Sequence, residues 1–375
     1  MATKKRLAVF LDGTWNEPET ADGKHHSTNI LKMMRALRRV GDDGVPQVVY
    51  YLKGVGTNGR KVRRLSDGAT GAGLDANIHM AYQWVANNFE PGADDLYIFG
   101  FSRGAYTARS LAGLIGAVGL MTKREVGELP QAFDYYRCKP ELRKGHPYHQ
   151  KRDPAVRHFP AIRCVGVFDT VGALGIPETA LIAKLRRRAR DLGLPVGKRP
   201  EEFHDVMLGT AIENAFHAMA VDERRKFFEP TIWEKPVQWG GRLVQRWFAG
   251  SHSNVGGGYP ETGLSDVTLK WMIDRASECG LLFDPVSVGE FIGASSMHKG
   301  VLVDSSQEGI WGAISRLAPG TRRHRAVRED IAHEMKIDRS VFLRHVELRS
   351  LYEPFHVADF AMLFKEYLDG PDVSD

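Results

Sequence analysis

A serine set between two glycines, an aspartate closing an apolar run and a histidine ahead of three glycines are the residues that could carry nucleophilic chemistry in this chain. Gly100-Phe101-Ser102-Arg103-Gly104 fits the pattern G-x-S-x-G. It follows the apolar run Leu96-Tyr97-Ile98-Phe99 and precedes a helical pattern from Ala105 to Val118. That is the strand–turn–helix context a nucleophile elbow requires. The turn is tight enough to force the serine into an unusual backbone conformation, and a side chain at Gly100 or Gly104 would press on the neighbouring strand or helix. Ser102 then sits at a helix N-terminus, where the Arg103 backbone N–H can face a developing oxyanion. A purely structural Gly-Ser-Gly turn is the alternative.

A serine hydroxyl needs a base, and the base needs an orienting acid. On an α/β-hydrolase sheet the chain order is serine, acid, histidine. Asp169 ends the run Val165-Gly166-Val167-Phe168, and His252 follows the run Leu243 to Phe248. The glycines after His252 imply close backbone approach or positive φ. Asp169 as a turn or cap residue and His252 as a loop cap are the plain alternatives. Among fourteen histidines the chief competitor is His217, which the pattern puts on an amphipathic helix from Phe203 to Val221 with Ile212, Phe216, Met219 and Ala220. There it reads as a packing residue.

The second oxyanion donor comes from a loop after an early strand. Asp12-Gly13-Thr14-Trp15-Asn16 follows the strand-like Leu7 to Leu11. Gly13 or Thr14 would supply the N–H, with Asp12 bracing the loop through its carboxylate. Read instead as a metal ligand, Asp12 finds no second carboxylate cluster at ligand spacing, so neither metal nor cofactor is expected. The glycines between Gly54 and Gly73 are not followed by Gly-Lys-Ser/Thr, which removes the P-loop reading. Arg103 and Arg109 flank the elbow, either to touch an anionic head group or to pair with acids on the sheet rim.

The elements that must position these residues alternate. Strands are expected at Leu7 to Leu11, Val48 to Leu52, Asp95 to Phe99, Cys164 to Phe168 and Leu243 to Phe248. Helices are expected at Asn29 to Arg39, capped by Thr28 or Asn29, and at Leu74 to Phe89, Ala105 to Val118, Phe203 to Val221 and Ser265 to Cys279. Continuously apolar strands between helices indicate a mostly parallel sheet covered on both faces. Residues 1–282 read as one α/β-hydrolase-like domain, with cap or lid insertions at about 121–160 and 174–205, and 283–375 as an accessory region packed on it.

Composition narrows the function classes. The 375 residues carry 51 Lys+Arg against 46 Asp+Glu, a net charge of +5. That is too mild to argue for nucleic acid. Arg322-Arg323-His324-Arg325, with Arg316 and Arg328, has no interleaved aromatics and reads as a solvated face. Three scattered cysteines form no disulfide framework. No run of about eighteen apolar residues marks a spanning helix, and no secretory signal opens the chain, so the reading is a cytoplasmic product, with export by a signal-independent machine left open.

With those residues in place, the sequence resembles the catalytic domain of the type VI secretion phospholipase effectors. The resemblance is carried by Phe10-Leu11-Asp12-Gly13-Thr14-Trp15-Asn16, Gly100 to Ala105, Phe168 to Gly172, Ala218 to Arg224 and His252 to Tyr259. It implies a Ser-Asp-His triad at Ser102, Asp169 and His252, and hydrolysis of phospholipid acyl esters. One departure is Asn254, where the family often has aspartate. The expected function is therefore acyl-ester hydrolysis on a lipid or other ester. Small soluble esters, or a catalytically silent binding platform, are the alternatives. The basic amphipathic stretch Leu181 to Leu194 offers peripheral membrane contact. No nucleic-acid partner is expected, and the sequence names no immunity or secretion partner.

Overall fold

The computed structural model describes residues 4–13, 26–54, 72–151, 157–172, 207–293, 297–307, 312, 319–330, 333–354 and 356–369. Seven strands form one parallel sheet in the order β2-β1-β3-β4-β5-β6-β7. They are β1 (Arg6–Leu11), β2 (Gln47–Leu52), β3 (Asp95–Phe101), β4 (Ile162–Phe168), β5 (Asn214–Ala220), β6 (Arg242–Phe248) and β7 (Met335–Ile337). The chain runs from β1 outward to β2 and then returns across β1 to β3. The strand order therefore reverses between β1 and β3, and the crevice beyond their C-terminal ends is where open α/β sheets bind ligands.

Alternation along the central strands fills both faces. Leu7, Val9 and Leu11 of β1 and Leu96 and Ile98 of β3 join a buried cluster with helices α2 (Ala72–Asn88) and α3 (Arg103–Val118). Ala8, Phe10, Tyr97 and Phe99 point the other way, against α1 (Asn29–Ala36). Helix α1 starts where its hydroxyl cap predicts: the Thr28 side chain accepts from the Leu31 N–H at 3.2 Å. In the segment 121–160, helix α4 (Leu129–Arg137) buries Phe133, Tyr135 and Tyr136 in the α2–α3 cluster. Tyr136 packs so close to Gly113 of α3 that a Cβ there would lie 2.7 Å from its hydroxyl.

One element differs from expectation. Asn214–Ala220, read as the end of a helix, is strand β5. Ala and Met favour helices, but the segment is flanked by β4 and β6 and buried on both faces, and that environment overrides propensity. The far edge of the sheet is built by late residues. β7, Val327, Val341, Phe342, Tyr352 and Val357 bury a third cluster with Met219, Val221 and Trp247 of the β5–β6 edge. Of the regions singled out in the sequence, the basic stretch 181–194, the insertion 174–205, most of the glycine-rich stretch and Arg316 lie outside the described residues.

Candidate active site

Ser102 stands at the end of β3 with φ 58° and ψ −122°, as the residue that opens α3. A non-glycine residue keeps such a backbone only where its surroundings enforce it. Two glycines make the enforcement feasible. A Cβ at Gly100 would lie 2.4 Å from the Gly104 carbonyl oxygen, and one at Gly104 would lie 2.2 Å from that of Leu11. Strand β1, the elbow and helix α3 thus touch backbone to backbone. The Ser102 N–H donates to the Phe168 carbonyl at 3.0 Å, which ties the elbow to the end of β4 beside Asp169. Arg103 is the first residue of α3, so its backbone N–H lies in the opening turn of the helix.

Asp169 also has a positive φ, 39°, and its N–H is held by the Ala218 carbonyl at 2.7 Å. Its carboxylate is buried. Oδ2 meets His252 Nδ1 at 2.6 Å, and Oδ1 accepts from the Ala220 N–H at 3.0 Å. Arg325 spans both oxygens, with Nη1 donating to Oδ1 at 2.6 Å and Nη2 to Oδ2 at 2.9 Å. The same guanidinium donates to the Ala220 carbonyl at 2.8 Å and to the Phe228 carbonyl.

His252 opens the short helix α5 (His252–Gly256). Its ring lies 4.7 Å, centroid to centroid, from Phe101, the residue before the serine, and 5.0 Å from Phe228, which it meets edge-on. Its backbone N–H donates to Glu223 Oε2 at 3.1 Å. Glu223 is in turn gripped by Arg225 Nε and Nη2, each at 2.8 Å, and by the Ser305 hydroxyl at 2.9 Å. The glycines that follow have the two uses expected of them. A Cβ at Gly256 would sit 2.0 Å from the Phe101 ring, and Gly257 and Gly258 take φ of 82° and 108°.

The charges follow from these contacts. Burial alone would push the Asp169 carboxyl up, but Arg325 and the His252 hydrogen bond hold it well below the usual carboxylate range. Burial likewise opposes Glu223 ionisation, yet its bonds to Arg225 bring it down to about 2. For His252 burial lowers the imidazole below its ordinary value of 6.5, although the Asp169 bond works against this. A neutral imidazole whose Nδ1 faces a carboxylate carries its lone pair on Nε2, the state of a base.

The other sequence candidates have different surroundings. His217 lies on β5, not on a helix, and is fully buried. Its Nε2 accepts the Thr170 N–H at 3.1 Å, and burial brings its pKa down to about 3. It fixes the backbone next to Asp169. Asp12 accepts from the Thr28 hydroxyl at 2.7 Å, the Tyr51 hydroxyl at 2.8 Å and the Gly13 N–H at 2.7 Å. The Gly13 amide is therefore directed at Asp12. Thr14, the other candidate donor, lies outside the described residues. Arg109 lies over the Trp233 ring at 4.6 Å and donates to the Thr231 carbonyl. Among the described residues no group of three or more His, Cys, Asp or Glu side chains could hold a metal ion. None of their helices is long and apolar enough to cross a membrane.

Three residues at this site had no role in the sequence reading. Asp222 Oδ2 accepts the Gly250 N–H at 2.7 Å, Glu223 holds His252, and Arg325 holds Asp169. The first two lie in the segment Ala218 to Arg224, whose resemblance to the family came with no function attached. Arg325 lies in a basic run that by sequence alone reads as a solvated face. Its partner is 156 residues away, and only the structure sets buried Arg325 apart from its exposed neighbours.

A parallel sheet with helices on both faces and a strained serine turn at its C-terminal edge defines an α/β protein of the hydrolase type. The chain matches the family model described as type VI secretion system, phospholipase effector Tle1-like, catalytic domain, over residues 5–275, and it belongs to that family. An uncharacterised protein of Saccharomyces cerevisiae is 24% identical over 413 residues, 76% of this chain and 59% of that protein. Among solved structures, an uncharacterised Pseudomonas aeruginosa protein aligns at 18% identity and TM-score 0.44, over 78% of this chain and 49% of its own. The Tle1 effector bound to the VgrG spike of the type VI system aligns at 18% identity and TM-score 0.34, over 68% and 51%. The chain thus spans between about half and three-fifths of the length of these relatives.

Proposed function

We propose that this protein is a serine hydrolase that cleaves lipid acyl esters, with Ser102 as nucleophile, His252 as base and Asp169 as the orienting acid. The observation that carries the reading is the 2.6 Å contact between His252 Nδ1 and Asp169, with the imidazole packed on Phe101 immediately before the strained serine. In the proposed reaction His252 Nε2 takes the hydroxyl proton as Ser102 Oγ bonds to the ester carbonyl carbon. The Arg103 N–H at the start of α3 stabilises the oxyanion, a contribution of roughly 3 kcal/mol in comparable sites. Collapse expels the alcohol, which receives the proton from His252. Water, deprotonated by the same imidazole, then releases the acid. Asp169 keeps the tautomer and stabilises the imidazolium.

Family membership supports phospholipid as the substrate class. The test is hydrolysis of phosphatidylcholine and phosphatidylglycerol vesicles beside a p-nitrophenyl ester, with fluorophosphonate labelling. Ser102→Ala should abolish labelling and lower turnover by at least about 1,000-fold. Undiminished turnover in that variant removes the serine mechanism. Activity confined to the soluble ester removes the lipid substrate.

A further inference from the structure

We propose that Arg325 is a positioning residue of the Asp169–His252 pair, supplied by the part of the chain beyond the matched catalytic region. This rests on the triad reading above. The family model ends at residue 275, yet the buried carboxylate that holds the imidazole is bridged on both oxygens by a guanidinium fifty residues further on. The bridging has a geometric and an electrostatic consequence.

The geometric one comes from the planar fork. A bidentate Arg–carboxylate contact fixes the plane of the carboxylate as well as its position. With Ala220 N–H on Oδ1 and His252 on Oδ2, Asp169 is left one orientation, the one that faces the imidazole. Arg325 is itself anchored by the Ala220 and Phe228 carbonyls. The Phe228 ring meets the His252 ring edge-on, so one short segment sets both the acid and a wall of the base.

The electrostatic one is a matter of counting buried charge. With Arg325 in place the resting Asp169–His252–Arg325 group is neutral, and protonating the imidazole leaves it at plus one. Without Arg325 the resting pair carries minus one, and a proton neutralises it. A desolvated site takes up the second proton far more readily. Arg325 therefore holds the imidazole in its basic, unprotonated form to lower pH. The other charged or titratable groups facing the pair do not reverse this. Glu223 and Arg225 neutralise each other, and His217 stays neutral beside Arg109.

The experiment is the pH dependence of kcat/KM and of fluorophosphonate labelling for the full chain, wild type beside Arg325→Met and Arg325→Lys, with Ser102→Ala and His252→Ala as controls. Arg325→Met should move the acid limb up by about one pH unit and lower the plateau at least about tenfold. Arg325→Lys keeps the charge but not the fork, so its limb should stay near the wild-type position while the plateau still falls. If Arg325→Met does not fold, the lysine variant alone decides, since an unchanged plateau there overturns the proposal. An acid limb that superposes on wild type in Arg325→Met also overturns it. The two readings fail separately. Turnover surviving Ser102→Ala and His252→Ala defeats the triad, whereas a dead pair of controls beside an unmoved Arg325→Met profile defeats only this inference.

Discussion

The serine side and the Asp169–His252 side of the candidate site are held by different physics. Around Ser102 the backbone of β1, the elbow and α3 meet with no side chain between them, and two glycines make room. Around Asp169 and His252 the holding groups are charges: Arg325 on the aspartate, Glu223 on the histidine amide and Arg225 on Glu223. The first side is defined by steric exclusion around one five-residue turn packed on the end of β1. The second is defined by charged contacts, two of them between residues distant in the chain, Arg325 with Asp169 and Glu223 with His252. A substitution should therefore damage the first through the fold alone and the second through the reaction as well as the fold.

The largest effect is expected on the steric side. Gly104→Ala puts a methyl group 2.2 Å from the Leu11 carbonyl oxygen, and neither backbone can yield cheaply. A loss of about 3 kcal/mol or more is expected in urea unfolding, with insoluble expression as the extreme. A fully stable alanine variant would break the comparison at its first term.

On the charged side, Asp169→Asn should lower kcat by about 10,000-fold, because the amide favours the wrong imidazole tautomer. It also leaves Arg325 buried without its main counter-charge, so unfolding should show a loss of about 3–5 kcal/mol. Glu223→Gln should act more gently. The amide oxygen still accepts the His252 N–H, but a charge-assisted bond becomes a neutral one, so a fall of about tenfold in kcat at unchanged KM is expected.

Acid should reveal both roles of these groups. The lowered Asp169 and Glu223 carboxyls contribute stability above the ordinary carboxylate range, and that contribution is lost as pH falls through their depressed values. The buried neutral His252 adds to the loss, because unfolding lets it take up a proton. Turnover should decline earlier in an acid titration, with a midpoint below the ordinary imidazole value of 6.5. A midpoint above 6.5 in kcat/KM would contradict the charge arrangement described for the pair. The smallest effect sharpens the contrast. The side chain of Arg323, two residues before Arg325, makes an exposed pair with Glu229 at 3.2 Å, so Arg323→Ala should change stability by less than about 0.5 kcal/mol.

The same division explains what the sequence discloses. The elbow is legible because its requirement is local: glycine, serine and glycine at fixed spacing between an apolar run and a helix. Strands β1, β2, β3 and β4 are legible as mainly apolar runs, and β6 as a run in which apolar and polar residues are mixed. Strand β5 is not, because Asn-Ala-Phe-His-Ala-Met-Ala has helix-forming composition and becomes a strand only between two others. His217 was misplaced with it. Glu223 and Arg325 escape for another reason. A charged residue near other charges looks solvated until the fold shows which one has its partner inside.

The bridge from residue 325 back to residue 169 also has a schedule. The ribosome delivers the arginine 156 residues after the aspartate, roughly 10–30 s later at ordinary rates of synthesis. Until then the nascent polypeptide holds the serine turn and Asp169 but not the cation that bridges the carboxylate. A translation product that ends between residues 252 and 325 would carry every residue of the proposed relay and still lack its brace, and its Asp169–His252 pair would be left as loosely held as in the Arg325→Met variant.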